Sequence, residues 1–146
     1  MSLEKLLQQG RIVRHKTSRK EVSSLIDIIK RDLSDAKVGG ISLDRRFATA
    51  YNAILQSAMI AVHLAGFRPK GSGHHAAVFE CLKYILAKQH GDLIDYFDSC
   101  RSKRNITDYD YAGRISRAET EEILKEAEKF FDLILKWVKQ NHPEYI

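Results

Sequence analysis

The sequence predicts an all-α fold, an up-and-down bundle of four or five helices forming a single domain over residues 1–146, and three observations carry that prediction. Apolar residues recur at three- and four-residue steps through several long segments. Two Ser-x-x-Glu sequences have the spacing of capping boxes, in which serine and glutamate side chains satisfy the free backbone donors of a helix start. Nowhere does a run of alternating apolar and polar residues argue for a strand.

Taken in order, the first 17 residues read as an N-terminal arm whose first turn or two lies against the bundle proper, 18–141. Ser18-Arg-Lys-Glu21 opens the first long helix, and Val22, Leu25, Ile26, Ile29 and Leu33 form its stripe before Gly39-Gly40. Ser42 caps the next, with Asp44 in its first turn and Phe47, Tyr51, Ile54, Leu55, Ala58, Val62 and Ala65 in period. The alanine-rich middle of that helix lets neighbours approach closely, which suits a central position. Gly66-Phe-Arg-Pro-Lys-Gly-Ser-Gly73 reads as a turn. A short helix resumes at His75 through Val78, Phe79, Leu82, Ile85 and Leu86 and closes near Gln89-His-Gly91. Leu93, Ile94, Phe97 and Cys100 carry the helical period into Arg101-Ser-Lys-Arg-Asn105, where the chain turns polar and aromatic. Ser116-Arg-Ala-Glu119 opens the last helix, whose face is Ile123, Ala127, Phe130, Phe131, Ile134 and Val138 and whose end is His142-Pro143. The aromatic residues Phe130, Phe131 and Trp137 read as core or dimer-interface packing.

Composition narrows the function classes. With 44% hydrophobic and 29% charged residues the chain is a folded protein, not a disordered one. A net charge of +5 is compatible with a polyanionic partner, but on a small protein a modest positive charge more often serves solubility. Cys81 and Cys100 have no CxxC spacing, so neither a disulfide framework nor a zinc site is indicated, and a reducing cytoplasm fits. The apolar stretch from Ala58 to Phe67 is broken by His63 and is too short to span a bilayer, so no membrane role is expected.

Chemistry gathers at Arg101, Lys103, Arg104, Asn105, Asp108, Tyr109, Asp110 and Tyr111. Guanidinium forks match phosphate, and a phenol can stack on a base or donate a hydrogen bond. If helix persists, Arg104, Asp108 and Tyr111 share a face; the plainer alternative is an Arg104–Asp108 ion pair at a helix end. Adjacent His74 and His75 diverge by about 100° on a helix and suit one metal poorly, so no metal is expected; they read as opening or capping the helix. His63 reads as a satisfied residue between helices. The basic run Arg11, Arg14, His15, Lys16, Arg19, Lys20 reads as a solvated arm or as a contact for RNA or an acidic partner.

The stretch Arg104-Asn105-Ile-Thr-Asp-Tyr109-Asp-Tyr111 resembles the motif of HEPN-domain proteins, written as Arg, four residues, His, one residue, Tyr. Phe47-Ala-Thr-Ala-Tyr51-Asn52-Ala53, Gly66-Phe-Arg-Pro and Gly73-His74-His75 resemble further elements of that family, and the likeness spans roughly 18–141. The resemblance implies a helical bundle that dimerises with its motifs facing across a cleft. It also implies one of two roles: a metal-independent ribonuclease, or the partner of a small nucleotidyltransferase in a toxin–antitoxin or defence pair. Arg104 would hold phosphate, with Arg101, Asn105 and Tyr111 completing a nucleotide- or RNA-binding set, and Tyr111 matches the tyrosine that such partners modify with AMP. Where the family's catalytic histidine would stand, this chain has Tyr109. A phenol near pKa of about 10 does not exchange protons at neutrality as an imidazole near about 6.5 does, so general acid–base help of roughly 10²–10⁴-fold is weakened unless His74 or His75 substitutes. The leading expectation is therefore a dimeric binding module without a cofactor, engaging nucleotide or RNA phosphate. The alternatives are a weak ribonuclease using Arg104 with Tyr109 or Tyr111, and a structural dimer without a ligand.

Overall fold

The capping residues place the helices as the sequence predicts. The computed structural model describes residues 2–71, 75–109 and 112–146; the side chains of Thr107, Asp108 and Tyr109 lie outside that description, as do Met1, Ser72, Gly73, His74, Asp110 and Tyr111 entirely. The Ser18 hydroxyl accepts from the Glu21 amide at the start of α2 (Arg19–Asp35), and Ser42 does the same from the Arg45 amide for α3 (Leu43–Leu64). Helix α4 spans His75–Ile85 and α5 spans Gly91–Tyr109. Ser116 and Glu119 form a complete capping box at the head of α6 (Arg117–Asn141), which ends at His142-Pro143.

The protein is an all-α helical bundle with one small addition. Six α-helices occur among the described residues, against the four or five expected, because the segment read as an arm contains α1 (Leu3–Gln8). Its Leu6 is wholly buried, which makes α1 part of the core. The expectation of no strand is also corrected: β1 (Ile12–Arg14) pairs antiparallel with β2 (Phe67–Pro69) in the register Ile12↔Pro69, Val13↔Arg68, Arg14↔Phe67. The ribbon forms because Gly66, at φ +97°, reverses the chain after α3 and presents its carbonyl to the His15 amide at 2.8 Å. The basic run is thereby divided. Arg11 turns inward to Glu80, Arg14 lies on the surface near Glu4, and His15 meets Glu21 at 2.6 Å.

Helix α3 is the hub and touches α2, α4, α5, α6 and β2. Ala50, Ala53, Ala58 and Ala61 have no exposed surface, so neighbouring helices seat directly against its backbone. Around it Phe47, Ile54, Phe79, Phe97, Phe130 and Ile134 fill the interior, with Phe97 and Phe130 in ring contact at 4.7 Å. A buried carboxylate crosses from α2: Asp32, 5% exposed, accepts from the Asn52 amide on α3 and from two guanidinium nitrogens of Arg31 at 3.1 Å each. Burial of such a group is tolerated because its oxygens are satisfied. Phe131 is buried as expected, while Trp137 is only partly so and meets the His142 ring at 5.2 Å. No described helix is long and apolar enough to cross a membrane.

Phe130→Ala should lower unfolding stability by about 3–5 kcal/mol through a cavity at the α5–α6 contact. Ser116→Ala should cost about 1 kcal/mol by removing one cap. Urea denaturation of both variants checks this order, and a Phe130→Ala loss no larger than that of Ser116→Ala would contradict the packing.

Candidate functional site

The apolar stripe of α5 runs through Leu93, Ile94, Phe97 and Cys100, and the helix continues for more than two turns after the stripe stops. Arg101 and Arg104 occupy the next inward positions, four and seven residues after Phe97. Both are partly buried, whereas Ser102 and Lys103 between them are exposed. Spacing alone thus identifies two guanidinium groups on the face that Phe97 directs into the protein. Arg101 Nε donates to Asp98 at 2.9 Å, and Arg104 lies against the Asn105 side-chain oxygen at 3.4 Å. Lys103 faces away and joins α5 to the α6 capping box through Glu119 at 2.6 Å.

Two residues from other helices feel the charge of these arginines. Tyr51, in the middle of α3, is 1% exposed, and its hydroxyl lies 3.3 Å from Nδ1 of His75, the first residue of α4. Burial pushes the His75 pKa below its ordinary value, and the positive charges of Arg104 and then Arg101 push it the same way. Burial raises the Tyr51 phenol well above its usual range, although Arg101 and Arg104 act to lower it. At neutral pH the phenol keeps its proton and the imidazole is uncharged. The donor in the Tyr51–Nδ1 contact depends on the imidazole tautomer; in the tautomer where Tyr51 donates, the imidazole proton is on Nε2, which then offers a hydrogen-bond donor.

The arrangement gathers positive charge and a neutral donor where α3, α4 and α5 converge. Such a set suits a phosphate oxygen, because guanidinium forks and N–H groups all donate. A hollow of about 220 Å³ beside it is lined by Ala76, Phe79, Glu80, Lys83, Asp98 and Arg101. That volume admits a phosphoryl group or a sugar edge but is below the size typical of a closed pocket for a whole nucleotide. Larger depressions lie elsewhere. One of about 570 Å³ runs between His90 and Trp137, and one of about 740 Å³ lies between Val38 and Thr49. The first also carries donors, among them His90, Lys129 and Lys136, but neither holds a pair of arginines, and it is the guanidinium pair that selects the candidate site.

Of the residues selected from sequence, Arg101, Arg104 and Asn105 fall together here. Tyr109 and Tyr111 lie outside the described side chains, as do Asp108, Asp110 and His74. Tyr51 was read only as core; its signal was a hydroxyl on an otherwise apolar stripe, which requires a partner when buried. Cys81 and Cys100 are buried free thiols, and burial raises both to about 11, which leaves them protonated and unreactive. Comparison with known protein families, curated proteins and solved structures gives no match.

The His75 imidazole should titrate below about 6.5 in an NMR pH titration, and Arg104→Ala should move its pKa upward. An unchanged value in the variant would show that the two groups are not neighbours. Because the folded pKa is depressed, His75 contributes stability that is complete above its unfolded pKa and is lost as pH falls through the folded one.

Proposed function

We propose that this chain is a HEPN-like dimeric binding protein that engages the phosphate of a nucleotide or RNA through Arg101 and Arg104. In this reading it is the companion of a nucleotidyltransferase in a toxin–antitoxin or defence pair. The observation that carries the binding role is the pair of inward-facing arginines beside a neutral His75. These groups supply several donors to one anion and require no metal to do so. The partner, the dimer and the modification of Tyr111 with AMP rest on the resemblance of Arg104-Asn105 through Tyr111 to the HEPN motif. A net charge of +5 favours encounter with a polyanion.

A second reading, a weak metal-independent ribonuclease, draws support from the same geometry, since His75 stands near Arg104 while the motif position holds Tyr109. The hydrogen bond from Tyr51 weighs against it. In the tautomer where Tyr51 donates to Nδ1, Nε2 carries the proton, and His75 then donates instead of removing a proton from a 2′-hydroxyl.

Binding of a labelled structured RNA, measured in EDTA with cleavage followed on a gel, separates these readings. Arg104→Ala should weaken binding by about 10–100-fold, as expected for loss of charge-assisted hydrogen bonds of about 1.5–3 kcal/mol, with the wild-type RNA left intact. Arg104→Lys should fall between, because it keeps the charge and loses the fork. Unchanged affinity in Arg104→Ala would defeat the binding role, and wild-type cleavage abolished by that substitution would establish the ribonuclease instead. Intact mass after incubation with a nucleotidyltransferase partner and ATP should show an AMP adduct that Tyr111→Phe removes.

A further inference from the structure

A second cluster lies at the opposite end of α3 from its N-terminal cap. His15 follows β1, Glu21 sits in the first turn of α2, and His63 in the last turn of α3. Glu21 Oε1 lies 2.6 Å from His15 Nε2 and 2.9 Å from His63 Nδ1, and all three ligand-type atoms fall within 4.8 Å of one another. The two imidazole rings are 4.5 Å apart. The Thr17 hydroxyl donates to the same Glu21 oxygen at 2.7 Å.

Two features set this cluster apart from an ordinary polar contact between helices. Ser18-Arg-Lys-Glu21 has the spacing of a capping box, yet only the serine half forms; the glutamate side chain leaves the helix terminus and points to the histidines. A side chain diverted from its local role marks a place where another requirement prevails. His63 was expected to be a satisfied residue between helices, but its Nδ1 is buried without a properly directed hydrogen bond, although Glu21 is close. Protons on His15 Nε2 and His63 Nδ1 can bridge to the shared Glu21 oxygen, and a divalent cation, which accepts lone pairs from both nitrogens and from the carboxylate, can take the place of those two protons.

We propose that His15, Glu21 and His63 form a binding site for a divalent transition-metal ion of the zinc class. Two imidazoles and one carboxylate are borderline ligands preferred by such ions, and three protein ligands leave one position for water. Bonds of about 2.0–2.2 Å in tetrahedral geometry separate ligand atoms by about 3.3 Å, so Glu21 Oε1 needs to retreat by less than about 1 Å from each nitrogen. Glu21 can do so, since its side chain is 37% exposed and the histidines are at 20% and 12%. Thr17 remains able to hold and orient the carboxylate, as hydrogen-bonded partners of ligating carboxylates do. The backbone fixes the two histidines before any ion arrives. The β1–β2 ribbon and the His15 N–Gly66 O bond fix the spacing of His15 to the end of α3. The positive charge of Arg68 also acts on His63, more weakly than the carboxylate of Glu21 does. A bound ion would clasp the N-terminal segment and α2 to the end of α3.

The full chain, freed of metal and titrated with Zn²⁺ in a calorimeter, tests the site. One ion per chain is expected, with affinity at least tenfold weaker in His15→Ala and in Glu21→Gln, each confirmed folded by circular dichroism. His63→Ala should behave likewise, and because it is the most buried of the three, His15→Ala decides the matter if that variant does not fold. A wild-type chain that takes up no Zn²⁺, or that takes it up as tightly after His15→Ala or Glu21→Gln, overturns the proposal.

Discussion

Everything described here depends on one helix being buried on most of its circumference. Helix α3 can occupy the centre because alanines at 50, 53, 58 and 61 leave its surface nearly flat, so four helices approach it within backbone range. A central helix with small side chains gains little from its own apolar bulk; the surrounding Phe79, Phe97 and Phe130 supply the volume. It also becomes the ruler of the molecule. Tyr51 and His63 are twelve residues apart, about 18 Å along the axis at 1.5 Å per residue, so the arginine cluster and the histidine cluster occupy separate ends of a shared scaffold.

Polar groups placed on this hub specify how its neighbours dock. Asn52 receives the buried Asp32 carboxylate of α2, and Tyr51 reaches His75 at the start of α4. Each such contact is costly to bury and costlier to break, so it discriminates against helix rotations that apolar packing alone would tolerate. The α5 arginines extend the same logic to function. They sit where an apolar stripe should continue, and placing charge there is sustained by Asp98 and by a position close to the surface.

The helices were legible because their signals are local. Serine caps at 18, 42 and 116 place the starts of α2, α3 and α6, and Gly66 and His142-Pro143 the ends of α3 and α6, whereas α2 stops at Asp35, ahead of the Gly39-Gly40 expected to follow it. The β1–β2 ribbon was not legible. Three-residue strands are too short to display alternation, and Ile12 meets Pro69 across the whole of α2 and α3, a pairing that no local pattern encodes. Glu21 misled for a related reason, since its spacing from Ser18 announces a capping box while its true partners, His15 and His63, are set by tertiary structure. At the candidate site the identity of Arg101, Arg104 and Asn105 was readable from their chemistry, and their direction followed from the Phe97 period. Tyr51 and His75 were readable as residues but not as their neighbours, because only the packing of α3 and α4 against α5 brings them together.

The central claim is that the arginines of α5 and His75 form one anion-binding centre. The most direct measurement is NMR of the His75 imidazole and the Arg101 and Arg104 Nε–H groups during titration with a short single-stranded RNA. The account predicts that these resonances shift together along one binding curve. Shifts confined to the depression between His90 and Trp137, or an unresponsive His75 while RNA binds elsewhere, would contradict it.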